Sequence, residues 1–280
     1  MMRIDAHQHF WQLAARAGSW PPPSLAAIHR DFAPADLAPL LAAHGIAGTV
    51  LVQSLPSEDD THGLLALSEE SSFIRAVVGW TELRAPDAPA NIARLASHGK
   101  LKGLRPMLQD LDDDAWIADP ALAPALNAMV EHGLRLDALV LPRHLPALLQ
   151  CARDYPRLPI VIDHAAKPPI ADAAFGTWRE DMAQLAALPN VHCKLSGLVT
   201  EARPGWCVDD LRPYAAHVLQ VFGPQRVIWG SDWPVVDLAG GYAAWLAASE
   251  ALLAHLGQAD RNDIFGLNAQ RFYGINEETP

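Results

Sequence analysis

Eight short runs rich in β-branched and other apolar residues recur along the 280 residues of the chain, separated by longer Ala/Leu-rich stretches. They are "RIDAH" (3–7), "GTVLVQS" (48–54), "IRAVVGW" (74–80), "LKGLRPM" (101–107), "LRLDALV" (134–140), "PIVIDHA" (159–165), "VHCKLSG" (191–197) and "RVIWGSD" (226–232). Most are apolar nearly throughout, as strands covered on both faces should be. The intervening stretches have helical spacing. In "APADLAPLLAAHG" Leu37, Leu40, Leu41 and His44 share a face and Gly45 supplies the stop, and "PALAPALNAMVEHG" (120–133) repeats that grammar up to Gly133. Alternation on this scale predicts an α/β chain with a parallel sheet.

Eight βα units in this length fit a (β/α)8 barrel of the TIM type, although an open doubly wound sheet satisfies the count as well. The dinucleotide-binding form of the open sheet needs a glycine-rich turn after its first strand. The chain has "AHQHFWQLAARAG" there, with no GxGxxG. No Gly/Ser linker or low-complexity block divides the sequence, and the strongest proline cluster, Pro21 to Pro23, falls in the loop after the first run. Residues 1–280 are therefore read as a single domain.

Charge and composition exclude several roles. A formal net charge of −11, from 21 Lys+Arg against 32 Asp+Glu, opposes nonspecific binding to nucleic acid or to an anionic membrane surface. No apolar run approaches the roughly 18 residues of a membrane span, and Arg3, Asp5 and His7 interrupt the segment where a secretory signal would sit. Cys151, Cys193 and Cys207 form no CxxC and are read as small buried hydrophobes, consistent with a reduced cytoplasm. The expected partner is a small molecule, and assembly into a homo-oligomer stays open.

In a barrel the chemistry gathers at the C-terminal ends of the strands, so polar residues there are the candidates. Run 1 ends in His7 and His9, which alternation turns to one face while Gln8 points to the other. Run 3 is followed by Glu82, run 4 carries Arg105 and run 5 carries Asp137. Run 6 supplies Asp163, His164 and Lys167, run 7 supplies Lys194 and Ser196, and run 8 ends in Asp232. Imidazoles and a carboxylate are the ligand types a zinc-like ion prefers, so His7, His9, His164 and Asp232, with Glu82 as a further candidate, form the expected metal set. Each of Glu82, Asp137, Lys194 and Ser196 also has a plain structural reading as a helix-start acid, a loop hydrogen-bonder, a solvated edge or a local cap. The other nine histidines, such as His144, His192 and His217, are read as structural or surface groups. Trp11, Trp80 and Trp233 lie just beyond runs 1, 3 and 8, where a flat amphipathic ring could wall a sugar pocket.

At these residues the chain resembles the amidohydrolase superfamily, in the branch that holds fuconolactonases, other sugar-lactone hydrolases and pyrone-dicarboxylate lactonases. The pieces that carry the likeness are "DAHQHFW", "VVGWTELRAP", "LKGLRPMLQD", "IVIDHAAKP", "CKLSGLVTE", "VIWGSDWPV" and "GLNAQRFYGI", in order from near the first residue to about Ile275. The resemblance implies a distorted (β/α)8 barrel with the site at its mouth. It departs from the superfamily's two-metal pattern, because strand 4 carries Arg105 where a carboxylated lysine would stand and strand 5 carries Asp137 where a histidine would. One divalent ion, zinc first among them, is the implied cofactor, and working without a metal stays open.

A lactone is an activated ester whose hydrolysis needs an attacking water, a polarised carbonyl and support for the developing oxyanion. Asp232 is the expected base, assisted by His164. Arg105, Lys167 and Lys194, with Trp11 and Trp233, are the expected substrate contacts. A neutral aldonolactone such as L-fucono-, L-galactono- or L-rhamnono-lactone suits one arginine and few lysines better than a dicarboxylate does. Three alternatives stand beside it: a lactonase for a pyrone-dicarboxylate, a zinc-dependent nonoxidative decarboxylase, and a noncatalytic sugar-acid-binding protein.

Overall fold

The computed structural model describes residues 2–16 and 18–275. All eight predicted runs contain strands: β1 (Arg3–Gln8), β2 (Ile46–Val52), β3 (Ile74–Gly79), β4 (Leu101–Leu104), β5 (Arg135–Ala138), β6 (Ile160–Ile162), β7 (Val191–Leu195) and β8 (Val227–Trp229). They pair in sequence order within one sheet, each parallel to the next. Eight main helices fill the crossovers: α1 (Pro34–His44), α2 (Glu58–Glu70), α3 (Ala88–Ala96), α4 (Ala123–Glu131), α5 (Leu145–Asp154), α6 (Trp178–Ala186), α7 (Val208–Phe222) and α8 (Tyr242–Leu252). Gly45 ends α1 with a left-handed φ of 66° that a Cβ would disfavour.

The architecture is the predicted single-domain (β/α)8 barrel, and its distortion lies in how the ring closes. β1 and β8 form no continuous ladder. They are joined beyond the strand ends by a parallel bridge between Gln8 and Trp233, with Asp232 N donating to His7 O (2.8 Å) and His9 N to Trp233 O (2.8 Å). The buried Asp5 carboxylate on the outer side of β1 reinforces this seam, accepting from Ser231 N (2.8 Å) and from the Tyr242 hydroxyl on α8 (3.1 Å). At the other end a π-helical turn (Asp263–Leu267) wedges against both strands, and α9 (Gln258–Asn262) and α10 (Asn268–Tyr273) flank it. Gly266 is required there, since a Cβ would stand 2.2 Å from Met2 O.

Two layers of core follow. Ile4, Ala6, Val50, Val52, Ala76, Val78, Val161 and Ile228 fill the barrel interior, and Phe272 and Tyr273 of α10 plug its base. The outward faces of the strands pack on the helices in a larger core that includes Trp178, Trp229 and Trp245. Burying each large apolar side chain is worth about 1.5–3 kcal/mol, so the wall is stiff enough to hold polar groups at its mouth.

Cys151 and Cys193 are buried as expected, and burial pushes the Cys151 thiol up to about 12. Cys207 departs from that reading: it lies exposed at the start of α7. Among the described residues no helix is long and apolar enough to cross a membrane.

Candidate active site

Strict alternation from Ile4 and Ala6, both inside the barrel, would turn His7 outward. A β-bulge prevents this. Asp5 pairs with Thr49 and Gln8 with Leu51, so three steps on β1 face two on β2. Gln8 is turned to Thr49 Oγ1 (3.1 Å), leaving His7 and His9 on the inner side. Gly230 permits the approach, because a Cβ there would meet His7 Cβ at 2.6 Å.

After β6 the backbone enters a left-handed turn. His164, Ala165, Ala166 and Lys167 have φ of 52°, 50°, 60° and 48°, a region that costs residues with a Cβ roughly 1–2 kcal/mol each. The turn brings His164 over the barrel axis, where its Nδ1 meets Ser196 Oγ at 2.9 Å. Asp232, at φ 60°, reaches in from the end of β8.

These local departures produce one convergence. The Nε2 atoms of His9, His7 and His164 stand 3.3, 3.7 and 3.8 Å from Asp232 Oδ1. All four side chains are buried. Burial, chiefly, holds the three imidazoles below the usual histidine range, His164 at about 4. Burial would raise Asp232, but the adjacent His164, His9 and His7 outweigh it and hold the carboxyl well below the usual range.

The donor set fits a divalent ion. His9 Nδ1 lies 2.7 Å from the Val52 carbonyl, which can only accept, so Nδ1 carries the proton and Nε2 presents a lone pair to Asp232. Two acceptors then face each other at 3.3 Å, an arrangement that a cation between them reconciles. His7, His9 and Asp232 offer ligand atoms within 4.8 Å of one another, and His7, Asp163 and His164 form a second such group. The partners of His9 and His164 supply the outer hydrogen bonds that orient metal-binding imidazoles.

Beneath this floor lies a buried ionic layer. Lys194 Nζ contacts Asp137 Oδ2 (2.5 Å), Asp163 Oδ1 (3.0 Å) and His7 Nδ1 (3.2 Å). Arg105 stands beside it, with Nη1 3.5 Å from Asp163 Oδ2 and 3.4 Å from His7 Nε2, and Nη2 donating to the Gln53 carbonyl.

Above the floor opens a cavity of about 380 Å3, bounded by His9, His164, Asp232, Arg105, Lys167 and Glu201 on its polar side. Leu25, Met107, Leu139, Val235, Leu238 and Trp20 form its apolar side. Lys167 Nζ approaches Glu201 Oε1 at 4.0 Å. Glu201 is held above the usual carboxylate range by burial, with Asp232 adding to that and Lys167 opposing it.

Four of the sequence expectations are corrected. Glu82 is exposed and accepts from Arg84 N, so it cannot join the metal set. Lys194 is fully buried below the floor and lines no part of the cavity, so it is not a substrate contact. Trp11 and Trp233 are also buried, packed with Phe32 at ring distances of 5.2 Å each, and Trp11 donates to the Arg30 carbonyl. The indole at the cavity is instead Trp20, 38% exposed, whose loop is tied down by Arg16 through the Trp20 carbonyl and Ser54. Trp20 and Glu201 were missed. Trp20 showed itself only as an aromatic in the first long loop, and Glu201 as the last residue of "CKLSGLVTE", six residues past β7.

The eight-stranded barrel and the histidine–aspartate floor are those of an amidohydrolase, and the chain belongs to the amidohydrolase family, whose profile matches residues 4–275. It is 58% identical over 278 residues to the L-fucono-1,5-lactonase of Burkholderia ambifaria, spanning 98% of this chain and 96% of that protein. The L-fucono-1,5-lactonase of Burkholderia multivorans is 38% identical over 289 residues, spanning 99% and 97%. A solved amidohydrolase from Burkholderia multivorans with bound zinc superposes at a TM-score of 0.92 and 37% identity, covering 99% of this chain and 100% of that one.

Proposed function

We propose that this chain is a lactonase that opens a sugar-acid lactone to the free aldonate, with L-fucono-1,5-lactone the first substrate to test. The observation that carries this reading is the convergence of three neutral imidazoles on the ionised Asp232 at the floor of a cavity sized for one sugar ring. The extent of identity to two proteins named for this reaction supports a lactone over the decarboxylase and binding-only alternatives.

Each group then has a role. Asp232, ionised throughout the ordinary pH range, accepts a proton from the attacking water and holds that water against the lactone carbonyl. His164, fixed by Ser196, places its Nε2 beside Asp232 and directs the transfer. Lys167 offers an ammonium to the oxygen that gains charge, and Arg105, its Nη2 held by the Gln53 carbonyl, adds positive charge and its remaining N–H groups at the cavity edge. Glu201 accepts from a ring hydroxyl, while the apolar side takes the less polar face of the sugar. A divalent ion on His7, His9, His164 and Asp232, zinc first among candidates, would supply carbonyl polarisation and a more acidic water when bound. The free thiols of Cys151, Cys193 and Cys207 support the cytoplasm as the compartment we assign.

The test is acid release from a panel of aldonolactones, followed with a pH indicator, with and without chelator. L-Fucono-1,5-lactone should be opened well above its spontaneous rate. Spontaneous rates across the whole panel, with metal restored, would reject the proposal.

A further inference from the structure

Lys194 is fully buried in the barrel, below the cavity and out of reach of any substrate. Its surroundings are those of a bound cation. Two carboxylates and an imidazole nitrogen approach Nζ from three strands, at 2.5 Å (Asp137, β5), 3.0 Å (Asp163, at the end of β6) and 3.2 Å (His7, β1). The base is closed by α10, where the Tyr273 hydroxyl donates to Asp137 Oδ2 (2.7 Å) and the ring lies 5.5 Å from Nζ. Asp137 Oδ1 is buried with no hydrogen-bond partner among the described residues, a leftover acceptor at the same spot. Buried carboxylate oxygens are ligands that divalent ions such as Mn2+ or Co2+ accept.

We infer that Lys194 Nζ is the resident cation of an inner two-carboxylate site built by Asp137 and Asp163, beside His7, and that it confines metal binding to the outer cluster of His7, His9, His164 and Asp232. The ammonium occupies the donors a second ion would need. It also repels a divalent charge placed beside it in a medium of low dielectric. A covalently attached cation cannot be washed out, so the anionic core stays balanced whether or not the outer site is filled. The inference stands on the inner residues alone and is independent of which substrate the cavity takes.

The experiment counts ions without measuring activity. Chelator-stripped full-length wild type and Lys194→Ala are titrated with Co2+, and bound metal is measured by elemental analysis and the visible d–d spectrum. Wild type should bind about one ion per chain and Lys194→Ala about two, the second being lost in Lys194→Ala/Asp137→Asn. Two ions on wild type, or no extra ion on folded Lys194→Ala, would overturn the inference. Stability gives an independent reading should Lys194→Ala fold poorly. Lys194→Met keeps the stem without the charge and should melt about 10 °C below wild type, because a buried carboxylate pair loses its partner. Lys194→Ala should regain stability with Co2+ or with ethylammonium. Lys194→Met melting with wild type would show that no cation is needed there, and the inference would fail.

Discussion

Gly197→Ala puts the placement of His164 to the test without touching any ionisable group. Gly197 follows Ser196 at the end of β7 with φ 63°, and a Cβ built on it would stand 2.5 Å from His164 Nδ1 and 2.7 Å from its Cγ. Normal contact begins at about 3.4 Å, so the ring or the loop must give by roughly 0.9 Å. The ring has little freedom to do so, since Ser196 Oγ holds Nδ1 at 2.9 Å and its backbone already sits in the left-handed turn. The left-handed φ alone costs alanine about 1 kcal/mol, and overpacking adds about 1–3 kcal/mol. At roughly 2–4 °C per kcal/mol for a domain of this size, the melting midpoint should fall by about 5–15 °C. The Nε2 displacement should lower kcat by about 100-fold, the usual penalty for a misplacement near 1 Å, with a smaller change in KM. Thermal melts and lactonase kinetics on the same preparation separate the two effects. Wild-type turnover from a folded Gly197→Ala protein would show that the position of His164 does not matter to the reaction.

Asp232→Asn keeps the shape and removes the charge that three imidazoles surround, so kcat should fall by at least about 1000-fold with the fold intact by circular dichroism; unchanged kinetics would refute its role as base. Glu201→Gln removes a charged acceptor from the cavity wall but not from the floor, and should raise KM about tenfold while kcat moves little. A fall in kcat at constant KM would instead place Glu201 in the chemical step. The imidazoles of His164 and His192 are both held at about 4, chiefly by burial, against an unfolded value near 6.5. As pH falls the unfolded chain therefore binds their protons first, so the stability of the metal-free protein is complete above about pH 6.5 and is lost progressively down to about 4, by on the order of 3 kcal/mol per histidine. The thermal midpoint should drop across that window, and less so in His192→Phe; a flat profile would contradict the neutral buried state of both rings.

Much of the barrel is legible in the residues because buried parallel strands announce themselves as apolar runs bounded by helical spacing, and each predicted run contains a strand. The HxH at the end of β1 was equally plain. Direction was not. Glu82 lies three residues past a strand end, as Asp232 does, and Trp233 four, yet the first side chain faces solvent and Trp233 the outer core. Proximity along the chain cannot tell these apart. Alternation could have helped on β7, where His192, Lys194 and Ser196 form an i, i+2, i+4 row. They meet Phe272 at the base, Asp137 midway and His164 at the mouth, so the lysine belongs to the interior and not to a solvated edge. A lysine in a row whose last member ends at the site is a positional signal that composition alone conceals.

The site residues that the sequence did name reach their places through one physical cause that periodicity does not carry. His7 turns inward through a bulge, His164 and Lys167 through a run of four left-handed residues, and Asp232 through a fifth. Each is a place where the backbone leaves the conformation that its own sequence favours, at a cost that only the surrounding packing can sustain. Periodicity describes the regular strand and so cannot foresee them. The same departures bring imidazoles from β1 and β6 within 4 Å of Asp232 Oδ1 at a barrel mouth, where regular strands would have spread them around the rim. If that backbone shape is the source of the site, easing its strain should leave the site standing, and losing the shape should not. Ala165→Gly and Ala166→Gly make the left-handed turn easier to hold in the folded state but free the unfolded chain, so turnover per folded molecule should persist while stability changes by no more than about 1 kcal/mol. Deleting Ala6 removes the bulge and leaves His7 inward by alternation but displaced by about one residue rise, roughly 3.3 Å, so turnover should fall sharply while the barrel still folds. Activity surviving that deletion would separate the bulge from the chemistry.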